Sequence, residues 1–183
     1  MTYYGAKELA ASFRTVRDNT LKIAEEIPEE QYSYKASPES RTVAQTLVHI
    51  AIGSRLQEDV HVVNKISTFV GYDFFAFMAK LIAEESKPRT KAEIIQLLRE
   101  EGERYEKILA DASEELLGES FEYPAGMVPP AKSRFEMMMS AKEHEMHHRG
   151  QLMLIERQLG ITPHLTRHMQ ERVAAMKAAQ AGS

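Results

Sequence analysis

The 183-residue chain has no cysteine. That excludes disulfides, thiolate metal ligands and a cysteine nucleophile, and it leaves the redox compartment open. Positive charge is not in excess either. Lys and Arg number 23 against 27 Asp and Glu, a net charge of −4 with a pI near 6.0. Phosphate neutralisation needs a basic patch, so nucleic acid is excluded as a partner. No run approaches the roughly 18 apolar residues of a membrane span. The opening MTYYGAKELA has no apolar stretch of signal-peptide type. A soluble cytoplasmic protein with no membrane partner is therefore expected. Only nine Gly and seven Pro occur, and alternating β-branched runs are few, so the expected class is all-α. There is no internal repeat, and no low-complexity tract beyond the tail.

What is present suits one globular domain, residues 1–183, with its core over about 5–160 and a tail over 161–183. Hydrophobic residues make up 43% and charged residues 27%, a globular balance in a chain long enough to bury a core. A first helix is expected from Gly5 to Ile27, where Leu9, Phe13, Val16, Thr20, Ile23 and Ile27 recur at three- and four-residue steps and Pro28 follows. Three further helices open at capping boxes, Thr42-x-x-Gln45, Thr90-x-x-Glu93 and Ser133-x-x-Glu136. The third is expected to run to Leu117, with Gly118 as its stop, and the fourth to end at Gly160. Residues 119–132 read as a loop. These four segments imply a four-helix bundle with a helical insert between helices two and three.

Helix two is apolar all round, with Val43, Leu47, Val48, Ile50 and Ile52 about its circumference. Such a helix is buried on every side, so either the insert or a second subunit must cover it, and a homodimer is expected. The insert, His61 to Lys87, loses clear period and gains Phe69, Tyr72, Phe74, Phe75 and Phe77. Its two readings are a satellite core and an apolar wall over a site, with Tyr72 and Phe75 as substrate candidates. The tail from Thr162 to Ala178 reads as a further helix whose His164 and His168 are surface residues.

The chemistry centres on HEMHHRGQ, His144 to Gln151. His144 and His148 stand at i, i+4, which places them on one helix face about 5–6 Å apart at Cβ. At about 100° per residue, Met137, Ala141, His144, His148, Gln151, Ile155 and Leu159 fall within an arc of about 80°. The pair thus lies in the core-facing stripe, where an unpartnered ring is costly. The segment formally matches HExxH, with Glu145 as base. Glu145, however, lies about 100° from His144 on the wheel, so it faces a neighbouring helix or solvent and the metalloprotease reading is weak. A third ligand must come from elsewhere, and His49, alone in the apolar TVAQTLVHIAIG run, is a good candidate. Gln151 and Gln45, one turn from His148 and His49, are candidates to orient a ligand. Gly53 leaves room beside His49 for a ligand or a close helix.

These residues also carry a family resemblance. The pattern RT-x-x-Q-x-x-x-HIA at Arg41–Ala51, then His-x-x-x-His-Arg-Gly-Gln, then Leu-Gly-Ile-x-Pro at Leu159–Pro163 resembles the DinB-like (damage-inducible) superfamily of metal-dependent four-helix-bundle proteins. The resemblance spans about Lys7 to Pro163 and is specific in the two His-bearing segments. It implies an up-down-down-up bundle. It also implies a divalent metal on His49, His144 and His148, with His147 a non-ligand neighbour.

Three neutral imidazoles leave at least one position open on a metal, the pattern of a catalytic site. Zn, Ni, Co and Fe all suit such ligands. The family includes transferases and isomerases that use bacillithiol, mycothiol or a similar low-molecular-weight thiol. A cysteine-free chain fits that chemistry, since it must import its sulfur nucleophile. The resemblance thus implies a thiol S-transferase acting on small electrophiles. The alternatives are a non-catalytic metal-binding stress-response protein and a metal-dependent hydrolase.

Overall fold

The computed structural model describes residues 4–181, and among these the chain is mainly helical. The last two residues of the expected tail lie outside that range. Helix α1 (Ala6–Glu26) buries Leu9, Phe13, Val16, Thr20 and Ile23 on one face. Helix α2 (Val43–Ile52) starts at the expected capping box: the Thr42 hydroxyl accepts the Gln45 N–H, and Gln45 Oε1 accepts the Thr42 N–H, each at 3.0 Å. A short α3 (Arg55–Glu58) passes into one π-helical turn at Asp59–Val63. The insert then forms α4 (Phe74–Glu85), capped by the Asp73 carboxylate.

Helix α5 (Lys91–Asp111) begins at the Thr90 box but does not run to Leu117. Ala112 is extended, and the Ser113 hydroxyl accepts the Leu116 N–H to start a separate α6 (Glu114–Gly118). A serine N-cap inside an otherwise helical pattern restarted the helix. The expected loop also differs, because its ends pair as β1 (Ser120–Glu122) and β2 (Ala131–Ser133), antiparallel, with Phe121 opposite Lys132 and fully buried. Three-residue strands are too short to show a period. Helix α7 (Arg134–Gln158) follows, and Gly160 turns the chain at φ 79° into α8 (His164–Ala181).

The core fixes the directions of the helices. Leu9, Ala10 and Phe13 at the start of α1 pack with Tyr105 and Leu109 late in α5, and with Met138 and Ala141 early in α7. Ile23 and Ile27 at its other end pack with Val43 and Leu47 of α2, Ile94 and Leu98 of α5, and Leu152 and Ile155 of α7. Helices α2 and α5 therefore run against α1, and α7 runs with it: up, down, down, up.

The apolar circumference of α2 is covered within the chain. Val43, Leu47, Val48, Ile50, Ala51 and Ile52 are all buried in one core that also takes in Leu81 of α4. The insert is the cover, so the inference from α2 to a homodimer loses its basis.

An ion pair crosses the same core. Arg17 of α1 and Glu145 of α7 are 4% and 1% exposed. Arg17 Nε and Nη2 donate to the Glu145 carboxylate at 2.9–3.1 Å. Its Nη1 donates to the Leu98 carbonyl at 2.7 Å, which ties α5 to the pair. The close approach of α5 depends on Gly102, where a Cβ would stand 2.8 Å from Arg17 Cγ.

Candidate metal centre

Helices α2 and α7 cross so that His49, His144 and His148 meet, with one ring nitrogen of each within 4.8 Å of the others. Helical spacing explains His144 and His148; antiparallel packing brings in His49. Gly53, one turn past His49, makes the approach possible, since a Cβ there would stand 3.1 Å from His144 Nδ1. The space expected beside His49 is taken by an imidazole of α7.

The tautomers follow from the outer hydrogen bonds. Glu85 Oε2 lies 3.0 Å from His49 Nδ1. Burial opposes ionisation of Glu85, but hydrogen bonds from His49 and Arg41 outweigh it and hold the carboxyl below its usual range. An ionised carboxylate only accepts, so His49 Nδ1 carries the hydrogen. Likewise His148 Nδ1 donates to Gln151 Oε1 at 2.8 Å. The Nε2 atoms of His49 and His148 are then bare lone pairs, 2.9 and 3.1 Å from His144 Nε2. One hydrogen on His144 Nε2 can satisfy only one of them.

Charge does not relieve the crowding. Burial, reinforced by His49 and His148, pushes His144 down to about 4. Burial also lowers His148. Both rings are neutral near pH 7, the form that ligates metal. Ligand nitrogens about 2.0–2.1 Å from one ion stand about 2.8–3.4 Å apart at octahedral or tetrahedral angles. The 2.9 and 3.1 Å spacings about His144 Nε2 fall in that range, so the donor set fits a divalent ion.

A cavity of about 570 Å³ opens beside His148, lined also by Arg41, Thr46, Glu85, Gln151 and Leu154. A larger cleft of about 780 Å³ lies across Glu85 and is lined by none of the three histidines. Three imidazole ligands beside an open cavity would leave a bound divalent ion open to a small molecule, with the Glu85 carboxylate behind His49.

The other sequence candidates fall in different places. Gln151 orients His148 and is exposed, and its Nε2 reaches His147 Nε2 at 3.1 Å. Gln45 is committed to its capping box. Glu145 is held by Arg17 and lies away from the histidines, which removes the HExxH base. Tyr72 and Phe75 do not line the cavity. Tyr72 donates to Asp59 at 2.6 Å and packs on Phe69, while Phe75 is 84% exposed. The insert reaches the site through its other end, Glu85. Sequence reasoning missed Glu85 and its partner Arg41, whose Nε donates to Glu85 Oε1 at 2.6 Å. The available signal was a Glu–Glu pair ending a helix, too common to single out. His164, expected at the surface, is buried at 2% exposed.

Comparison with known proteins agrees with this architecture. The model of the DinB family matches residues 1–178. An uncharacterised Bacillus subtilis protein, YjoA, is 24% identical over 157 residues, which cover 86% of this chain and 92% of YjoA. The crystal structure of that DinB-like protein superposes with a TM-score of 0.61 at 22% identity, over 85% of this chain and 94% of that one. Among the described residues no helix is long and apolar enough to cross a membrane.

Proposed function

Because this chain belongs to the DinB family, we propose that it is a metal-dependent enzyme that joins a low-molecular-weight thiol to a small electrophile, with His49, His144 and His148 as the metal ligands. The observation that carries this reading is the convergence of three imidazoles beside an open cavity. The absence of cysteine agrees with it, because the chain itself offers no sulfur nucleophile. The divalent ion supplies Lewis acidity that favours the thiolate over the thiol.

The protein's own groups have separate tasks. Glu85, braced by Arg41, and Gln151 hold His49 and His148 with Nε2 inward, the outer support that raises ligand basicity and fixes ring orientation. Leu154 and Ile155 give the cavity an apolar side, and Arg41 and Gln151 give it a polar one. In the overall reaction the thiol loses a proton, a carbon–sulfur bond forms, and the electrophile's leaving group departs with its electron pair. Hydrolysis has less support, since Glu145 is bound to Arg17 and Glu85 is engaged by His49 and Arg41.

The test is a panel of bacillithiol, mycothiol and simpler thiols with a chloro-dinitro aromatic, following thioether and chloride together. Turnover that chelation abolishes and added metal restores is expected. Full metal occupancy with no turnover against any thiol would leave a metal-binding protein without this activity.

A further inference from the structure

Beyond the metal cavity, and partly on the same helix α7, the foot of the bundle holds a second polar cluster. Among the described residues, the buried side-chain nitrogen and oxygen atoms without a hydrogen-bond partner are Glu26 Oε2, both carboxylate oxygens of Glu156, and His164 Nδ1. They come from three helices, α1, α7 and α8. Glu156 is 0% exposed and His164 2%. The tautomer of His164 is fixed locally. Asn19 Nδ2 donates to the Thr15 carbonyl, which leaves Asn19 Oδ1 to accept from His164 Nε2 at 2.9 Å. His164 Nδ1 is therefore a lone pair. With Glu156 ionised, every orphan atom is an acceptor, and the fully buried Glu156 carboxylate is repelled by that of Glu26, whose other oxygen is paired with Arg167. A buried acceptor without a donor is costly, and such groups in a folded protein call for an explanation.

We propose that Glu26, Glu156 and His164 form a proton-binding clasp, in which one proton carried by Glu156 fastens α8 to the bundle and its loss loosens that helix. A neutral Glu156 carboxyl is a donor among acceptors, and it ends the repulsion with Glu26. The clasp sits where α8 is held. Pro163 and His164 are buried, whereas His168 to Ala181 are exposed. The other ties to the first turn of α8 are Arg167 Nη2 to Glu26 Oε1 at 2.6 Å and Arg157 Nη2 to Thr166 Oγ1 at 3.0 Å.

Charges from every packed element bear on the cluster: Lys22 and Glu26 from α1, Arg157 from α7, Arg167 and His168 from α8. Burial, then Glu26, raises Glu156 to about 7. A raised folded-state value means that the Glu156 proton's contribution to docking is fully present at acid pH and is lost as pH rises through about 7. Burial lowers His164, with Glu26 opposing. Its contribution has the other sign, present above the ordinary histidine value and lost as pH falls below it. Glu156 alone changes the docking constant about tenfold between about pH 6 and about pH 8, and His164 trims this to a few-fold.

The measurement is amide hydrogen exchange across residues 161–170 of the whole metal-loaded protein, corrected for the intrinsic pH dependence of exchange. In the wild type, protection should fall a few-fold from about pH 6 to about pH 8. In Glu156→Gln the trend should reverse, because only His164 still titrates, and protection should be greater at about pH 8. A Glu156→Gln profile that parallels the wild type would overturn the proposal. Infrared difference spectra of the wild type give a check that needs no stable variant: a buried carboxylic-acid band should disappear as pH rises through about 7. Its absence at acid pH would also overturn the proposal. So would an equivalent of zinc that His144→Ala retains and His144→Ala/Glu156→Gln loses, since the acceptors would then hold a metal.

Discussion

Replacing Glu145 with leucine tests the claim that the glutamate of the HExxH-like segment is architectural. The change leaves the Arg17 guanidinium buried at 4% exposed, with only the Leu98 carbonyl at 2.7 Å and the Ile50 carbonyl at 3.4 Å as acceptors. Removing one partner of a buried pair costs about 3–5 kcal/mol, because the remaining charge is uncompensated. The two surviving carbonyl bonds point to the lower end, about 3 kcal/mol. At about 3 °C per kcal/mol for a chain of this length, the melting temperature should drop by ~10 °C. The double variant Arg17→Met/Glu145→Leu should recover most of that loss, since an apolar pair of similar volume is often neutral or stabilising. Thermal and urea melts of wild type, both single variants and the double variant provide the cycle, and each folded variant should keep its metal. A single-variant loss within about 0.5 kcal/mol, the range of ordinary surface changes, would refute the reasoning. So would a double variant no more stable than Glu145→Leu.

Glu85→Ala should weaken divalent-metal affinity about 10–100-fold, the usual cost of losing a carboxylate behind a histidine ligand; competition with a chelating dye reads this, and unchanged affinity would remove Glu85 from the site. Gly53→Ala should also weaken metal binding while leaving helicity intact, because its Cβ would press on His144 Nδ1 from 3.1 Å. Gly150→Ala on α7, with nothing within 4 Å of the added carbon, should bind like the wild type and serves as the control. Phe75→Ala should change neither metal affinity nor melting temperature by a measurable amount, as expected for a side chain 84% exposed and outside the cavity.

The helices were legible where side chains repeat on a face or close a cap. Leu9, Phe13, Val16 and Ile23 mark α1, and the Thr42, Thr90 and Ser133 boxes mark the starts of α2, α5 and α7. What failed was set by single residues or by tertiary contact. Ser113 divided one expected helix in two. Phe121 drew a proline-rich loop into a hairpin because its ring fills the small core with Val60 and Met137. Two of the clustered histidines share a helical face in sequence, whereas His49 joins them only through antiparallel packing of α2 on α7. Glu85 escaped notice because nothing local relates it to His49, 36 residues away. The opposite roles of two glutamates at i, i+11 on α7 were equally hidden. Glu145 meets a buried arginine, and Glu156 meets another carboxylate.

The central claim is that three imidazoles hold one divalent ion, and metal content of protein purified without an affinity tag tests it most directly. Elemental analysis of wild type and single alanine variants, each checked for a cooperative melt, gives the stoichiometry. One equivalent per chain is expected in the wild type and in His147→Ala, His164→Ala and His168→Ala. It should be lost in His49→Ala, His144→Ala and His148→Ala. A full equivalent retained in all three of those variants, or lost in His147→Ala and kept in His148→Ala, would contradict the account.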